Sequence, residues 1–271
     1  MSLSIDAAIS GMVEQQRNIE LIANNLANVN SAGYKRAKIH FQDILSTATV
    51  FSAASGAATT QPSSSAGVAT AGITRDFSQG SLQPSGREMD FAIAGDGFFR
   101  VKLDDGTYAY TRAGMFSLDG TGRIVTVSGE LMDPAVQLPA RFRDLRIDDV
   151  GVVSVTRDLT ADELDALGPF DPRDGKRIIA GQMNIFRFPN PAGLAAIGNS
   201  RFVATADSQA AIEGKPGESG IGVVYSGWLE ASNVDIATEM TGLVIAKRGY
   251  QLNLVAYKTI EEMLSKVNQV I

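Results

Sequence analysis

The feature that most constrains this chain is a helical repeat at each end with a different pattern between them. In the first 31 residues, apolar residues recur at intervals of seven, namely Ile5, Met12, Ile19 and Leu26. Residues at this spacing lie along one face of a helix. Gly33 follows the repeat, and glycine there suits the left-handed cap that ends a helix. The sequence therefore predicts an N-terminal helix over residues 1–31, which Ser31-Ala32-Gly33 terminates.

The C-terminal segment carries a second helical stripe. Its apolar positions step by three, four or seven, through Met240, Leu243, Tyr250, Leu254, Tyr257, Leu264, Val267 and Ile271. Asn233 or Asp235 can cap its start, and Glu239 lies where the helix dipole favours negative charge. Gly242 and Gly249 each lower the intrinsic helicity by about 1 kcal/mol. A long C-terminal helix is predicted despite them.

Between the two ends, alternating apolar residues and glycine turns predict β-structure. Apolar and charged residues alternate in residues 99–103, Asp105-Gly106 can form a tight turn, and residues 108–110 can form the returning strand. This pattern is typical of a β-hairpin. Residues 116–118 and 124–127 repeat the pattern around a second glycine turn. The fold class is therefore α+β, with long N- and C-terminal helices pairing in a coiled-coil-like bundle and a central antiparallel β domain.

These patterns divide the chain into three parts. Residues 1–33 and 229–271 form the helical polymerisation domain, 34–75 an extended linker rich in Ala, Ser, Thr and Gly, and 76–228 the antiparallel β domain. Residues 158–176 are interpreted as an insertion in that β domain.

The small-residue stretch allows two interpretations. From Ser46 to Gly72, 22 of 27 residues are Ala, Ser, Thr or Gly, and none is charged. Such a composition is typical of a flexible linker. The alternative is an extended segment fixed between neighbouring subunits, because small residues allow close backbone approach.

Composition argues against most enzymes. The chain has no cysteine, one histidine and a net charge of -6, which disfavours thiolate metal sites and a basic nucleic-acid surface. No apolar run approaches the roughly 20 residues of a membrane helix. The only histidine, His40, follows basic residues and is interpreted as a surface side chain. We predict no catalytic, cofactor-binding or metal site, no cofactor, no nucleic-acid partner and no membrane insertion.

Asparagines crowd the end of the N-terminal helix, at Asn24, Asn25, Asn28 and Asn30. Asparagine is a poor helix former, so these residues either cap a fraying end or bond between packed helices. An isolated pair of helices would be only marginally stable, because the conformational entropy lost on ordering its residues exceeds the free energy gained by burying one apolar stripe. We hypothesise that the ends are loose in the monomer and fold on polymerisation.

Several segments resemble the bacterial flagellar rod and hook proteins. They are Ala-Asn-Asn-Leu-Ala-Asn-Val-Asn at 23–30 with Gly-Tyr-Lys at 33–35, Leu-Glu-Ala-Ser-Asn-Val-Asp at 229–235, Glu-Met at 239–240, Arg-Gly-Tyr-Gln at 248–251 with Asn253, residues 90–99, 110–116 and 190–194. Hook proteins usually carry a large additional outer domain, for which this chain has no room. It is therefore more similar to the rod proteins, and among them to the distal ones.

The resemblance implies a non-enzymatic axial subunit of the basal body. Family members leave the cell through the flagellar type III export apparatus without a cleaved signal peptide. They polymerise helically in the periplasm-spanning rod, which transmits torque from motor to hook. The implied partners are copies of the chain, other rod subunits, the hook protein and the surrounding bushing rings.

Both helices are expected to supply the subunit interface. The predicted interface residues are Ile5, Met12, Ile19, Leu26, Asn24, Asn25, Asn28, Met240, Leu243, Tyr250, Leu254, Tyr257 and Leu264. The alternatives are a hook or proximal-rod subunit, a secreted wall-acting enzyme using Glu88 and Asp90, and a monomeric binding module.

Overall fold

The computed structural model describes residues 2–51, 58–139, 142–148, 150–157, 176–218 and 220–270. It divides into two compact units: one contains residues 1–28, 36–76 and 234–271, and the other contains residues 29–35 and 77–233. We call them the helical unit and the β unit. Residues 158–175 of the predicted insertion lie outside the described residues.

The helical unit contains two long helices, α1 (Ser2–Ala27) and α2 (Ile236–Val270). Asp235 caps α2, where its carboxylate accepts a hydrogen bond from the Thr238 main-chain N–H at 3.1 Å. The predicted helical span of residues 1–31 is too long, because α1 ends at Ala27. The helix ends earlier because the Asn28 side chain donates to the Asn24 carbonyl at 2.9 Å and closes the last turn.

The segment predicted as a linker forms a β-hairpin in the helical unit. Strand β1 (Ala37–Phe51) pairs antiparallel with β2 (Ala58–Arg75). The ladder uses main-chain groups and so needs no bulky side chains. Ser10 of α1 accepts a hydrogen bond from the Val68 N–H at 3.3 Å, and Thr70 donates to the Glu14 carboxylate. The hairpin therefore packs against α1.

The β unit consists of short strands joined by tight turns. They are β3 (Leu82–Pro84), β4 (Phe91–Ala94), β5 (Phe99–Lys102), β6 (Tyr108–Thr111), β7 (Phe116–Leu118), β8 (Ile124–Thr126), β9 (Leu131–Asp133), β10 (Arg143–Ile147), β11 (Val152–Arg157), β12 (Lys176–Gln182), β13 (Ile185–Arg187), β14 (Ala195–Gly198), β15 (Arg201–Val203), β16 (Ile212–Gly214), β17 (Val223–Ser226) and β18 (Trp228–Glu230). A 3₁₀ turn, Pro191–Gly193, precedes β14.

The largest sheet has the strand order β14-β15-β6-β5-β9-β8-β7, and β10-β11-β12 form a smaller one. The pairs β1-β2, β13-β16, β17-β4 and β18-β3 complete the pairing of the described strands. Every one of these pairings is antiparallel. The two predicted hairpins are confirmed as β5-β6 and β7-β8. The α+β class is confirmed as well.

The β unit buries its large apolar side chains in two clusters. The larger cluster is centred on Phe91, Phe99 and Phe116, each at most 1% exposed. The Phe99 and Phe116 rings meet edge to face with centroids 5.3 Å apart. The smaller cluster groups Phe98, Tyr110, Phe186, Phe188, Leu194 and Phe202. This unit thus has the complete core of an ordinary folded domain.

Candidate assembly interface

The two helices of the helical unit run antiparallel and meet at regularly matched positions. Gly11 lies beside Asn253, Gln15 beside Gly249, Ile22 beside Gly242 and Asn25 beside Glu239. From one matched pair to the next, the residue number rises by four, seven and three along α1 and falls by the same amounts along α2, as expected for antiparallel helices. A Cβ added to Gly249 would lie 3.2 Å from the Gln15 side chain. Glycine at these sites therefore allows a close approach of the helices.

The side of α2 away from α1 carries a second set of apolar side chains. The exposed members are Ile236, Met240, Val244, Ile245, Leu252, Val255 and Met263. Leu252 is 70% exposed and Ile245 is 66% exposed. On α1, the side chains of Ile9 and Val13 are also exposed, at 40% and 43%. A helix that is apolar on opposite faces is typical of a helix buried on both sides.

The structure places the predicted interface residues in three environments. Half-buried are Ile5, Met12, Ile19, Leu26, Asn28, Leu243, Tyr250, Leu254, Tyr257 and Leu264. Asn24 and Met240 are exposed, and Asn25 is buried. Sequence reasoning missed the exposed residues of α2 other than Met240, because it followed a single stripe. The available signal was that apolar residues of this helix, such as Ile245 and Leu252, also occur outside that stripe.

Asn25 lies in a buried polar cluster of the helical unit. Its side-chain amide donates to the Ala37 carbonyl at 2.9 Å and to a Glu239 carboxylate oxygen at 3.2 Å, and its oxygen accepts from the Ala37 N–H at 3.0 Å. Arg36 Nε lies 2.5 Å from the other Glu239 oxygen. The cluster joins the end of α1, the start of β1 and the first turn of α2.

A second buried cluster lies in the β unit, centred on Glu230. Its carboxylate accepts hydrogen bonds from Lys35 Nζ at 2.6 Å, Arg112 Nη1 at 3.2 Å and the Gly80 N–H at 2.9 Å. The Lys35 side chain is fully buried and that of Glu230 is 1% exposed. Burial lowers the pKa of Arg112, and the charge of Glu230 partly opposes that shift.

The Glu230 cluster brings together three sequence motifs that are far apart in the chain. Lys35 is 195 residues from Glu230, and Arg112 is 118 residues from it. Gly33 has a φ of +67°, and a Cβ there would lie 2.3 Å from the Ala113 main chain. Only glycine fits this left-handed, crowded position. Residues 29–35 therefore belong structurally to the β unit.

The alternative catalytic pair, Glu88 and Asp90, does not form an open paired site. Asp90 is 1% exposed, whereas Glu88 accepts a hydrogen bond from the Leu145 N–H at 3.2 Å. Glu88 borders a groove of about 460 Å³ whose walls also include Arg87, Arg146 and Tyr225. His40 is exposed, with Nε2 2.8 Å from the Thr74 hydroxyl.

The described residues contain no group of three or more His, Asp or Glu side chains placed to hold a metal ion. Over the same residues, no helix combines the length and the apolar character needed to cross a membrane.

Three family models match this chain in order along its length. Residues 5–35 match the flagella basal body rod protein model. Residues 92–155 match the D1 domain of flagellar hook protein FlgE/F/G. Residues 225–270 match the C-terminal model of the flagellar basal body rod FlgEFG proteins. The charged residues of the Glu230 cluster are distributed over these matches, with Lys35 in the first, Arg112 in the second and Glu230 in the third.

Curated relatives match the chain from end to end. It is 37% identical over 274 residues to the flagellar basal-body rod protein FlgG of Borreliella burgdorferi, covering 99% of this chain and 98% of that one. The FlgG of Bacillus subtilis is 35% identical, with 98% of each chain covered. The flagellar hook protein FlgE of Treponema pallidum is 36% identical over only 46% of this chain and 27% of its own. The chain therefore belongs to the family of flagellar basal-body rod proteins.

Proposed function

We propose that this chain is a structural subunit of the distal flagellar rod. It polymerises helically and transmits torque from the motor to the hook, with no catalytic role. The observation that carries the proposal is the apolar character of α2 on both sides. One side of α2 packs on α1 of the same chain. The apolar side chains on the other side are buried only when another helix packs against them.

Burial of the exposed apolar residues of α2 would favour packing against another helix. Full burial of a large apolar side chain is worth about 1.5–3 kcal/mol. Seven such residues on α2 are between 49% and 70% exposed. Covering them recovers roughly 1 kcal/mol each, or on the order of 7 kcal/mol per subunit. Cooperative lateral contacts of this kind suit a shaft that carries torque.

The proposed interface combines two kinds of residue. The exposed apolar residues of α2 make the primary contact with neighbouring helices. The half-buried interface residues of both helices become fully buried at the same contact. The paired helices of one chain thereby form a coiled-coil-like bundle with the helices of other copies. Charge adds a weaker argument for contact between unlike helices. The exposed charged residues of α1, namely Asp6, Arg17 and Glu20, carry a net negative charge, whereas those of α2, namely Lys247, Arg248, Lys258, Glu261, Glu262 and Lys266, carry a net positive charge.

The distal position follows from likeness to the FlgG proteins. Their chains and this one cover each other almost fully, whereas the hook relative is matched over about a quarter of its length. We therefore favour the distal rod over a hook or proximal-rod subunit. The proposed partners are copies of the chain, other rod subunits, the hook protein, the bushing rings and the type III export apparatus, in the periplasm-spanning part of the basal body.

Deletion of the gene in its host tests the proposal, with basal bodies imaged by electron microscopy. We expect a short rod without outer rings or hook, restored by the wild-type gene. A complete rod that lacks only its hook would assign the chain to the hook. Complete flagella in the deletion strain would refute a rod role.

A further inference from the structure

We propose that Asn25 sets the register in which α1 and α2 pair. Asn25 is 1% exposed, and its amide binds both the Ala37 main chain and the Glu239 carboxylate. It therefore fixes one position of α1 against one position of α2. A buried asparagine that selects a single register is a known device in paired helices.

The apolar residues of the helix pair do not select a register by themselves. On the side of α2 that includes Glu239, half-buried Leu243, Tyr250, Tyr257 and Leu264 follow one another at intervals of seven. A slide of α2 by seven residues replaces each of them with another large side chain, namely Leu, Tyr or Ile. The stripe of large side chains is thus preserved by such a slide, and in one direction Gly242 also takes the place of Gly249 beside Gln15, so a further contact must distinguish the two arrangements.

The Asn25 contact does distinguish them. Glu239 is 1% exposed and is held by Arg36 on one oxygen and by Asn25 on the other. A slide of seven residues separates Asn25 from Glu239 and leaves a buried amide and a buried carboxylate oxygen without that bond. Buried polar groups that lose their partners strongly disfavour the slipped arrangement.

The register matters for assembly, a consequence that rests on the proposed function. It decides which exposed residues of α2, such as Ile245 and Leu252, lie at the height of Ile9 and Val13 of α1. A slide of seven residues at a rise of about 1.5 Å each moves them by roughly 10 Å. Neighbouring subunits would then meet a mismatched surface.

Cysteine cross-linking of the soluble, full-length chain tests the proposal, because the natural sequence has no cysteine. The in-register pair is Gln15→Cys with Gly249→Cys. The slipped pairs are Gln15→Cys with Gly242→Cys and Gln15→Cys with Ala256→Cys, each displaced by seven residues. In the otherwise natural chain we expect the first pair to form a disulfide at least about tenfold faster than either slipped pair.

Two variants remove the proposed determinant. Asn25→Leu removes the amide, and Asn25→Leu with Glu239→Leu removes both polar groups and leaves an apolar contact. In each, we expect a slipped pair to form at a rate within about threefold of the in-register pair, at unchanged helicity by circular dichroism. Asn24→Leu is the matched control, since Asn24 is exposed, and it should behave as the parent does.

Equal cross-linking of all pairs in the parent, or none in any pair, would overturn the proposal. So would an exclusive in-register pair in both variants. Loss of helicity in both would mean that Asn25 holds the helices together without choosing between registers, which also contradicts the proposal. The assay needs no rod, so a parent that pairs in register but never enters rods would refute the proposed function alone.

Discussion

The two units of this chain place their large apolar side chains in opposite ways. In the β unit, Phe91, Phe99 and Phe116 are at most 1% exposed. In the helical unit, Leu252, Ile245 and other large side chains of α2 are mostly exposed. The β unit has its full core within one chain, whereas under the proposed function the helical unit is completed by neighbouring subunits.

The largest expected effect on monomer stability comes from the β unit. Phe99→Ala removes a ring that packs edge to face on Phe116. We expect a loss of about 3–5 kcal/mol in the free energy of unfolding, because the cavity lies in a closed core. Urea unfolding followed by Trp228 fluorescence measures it, with exposed Val127→Ala as the control. A loss as small as that of the control would contradict a complete β core.

A comparable but separate effect is expected at the Glu230 cluster. Glu230→Leu leaves Lys35 and Arg112 without their shared carboxylate, and breaking a buried ion pair in this way costs about 3–5 kcal/mol. Lys35→Met tests the same contact from the other side. Hydrogen exchange should show lost protection at residues 29–35 in both variants. Unchanged exchange there would mean that this segment is held to the β unit by other contacts.

Sequence reasoning was most successful where a pattern is local. The alternation in 99–103 and the Asp105-Gly106 turn correctly predicted the β5-β6 hairpin. Local patterns could not reveal the Glu230 cluster, because its charged members lie up to 195 residues apart. The β1-β2 hairpin was missed for a different reason. Most of its main-chain ladder runs through small residues that have no apolar period, and the short alternation of Ile39 and Phe41 with Lys38, His40 and Gln42 was overlooked.

The smallest expected effect concerns acid stability. Hydrogen bonds from the Arg123 main chain and the Thr121 side chain hold the pKa of Asp119 well below its usual range. The Thr107 side chain likewise lowers the pKa of Asp105, and that of Thr238 lowers the pKa of Asp235.

A carboxylate whose pKa is lower in the folded state stabilises the fold above its unfolded pKa of about 3.9. That stabilisation is complete above roughly pH 5 and declines as the pH falls through the folded pKa. The melting temperature should therefore fall less steeply below pH 4 in Asp119→Asn than in the natural chain. Equal slopes would show that the Asp119 turn is not formed in solution.

The central claim, that the outer side of α2 is buried only on assembly, is tested most directly by thiol labelling of Leu252→Cys. The chain has no other cysteine, so a maleimide reports this position alone. The claim predicts rapid labelling of the soluble protein and strong protection in purified basal bodies, with labelling restored when the basal bodies are dissociated. Rapid labelling in intact basal bodies would contradict the claim.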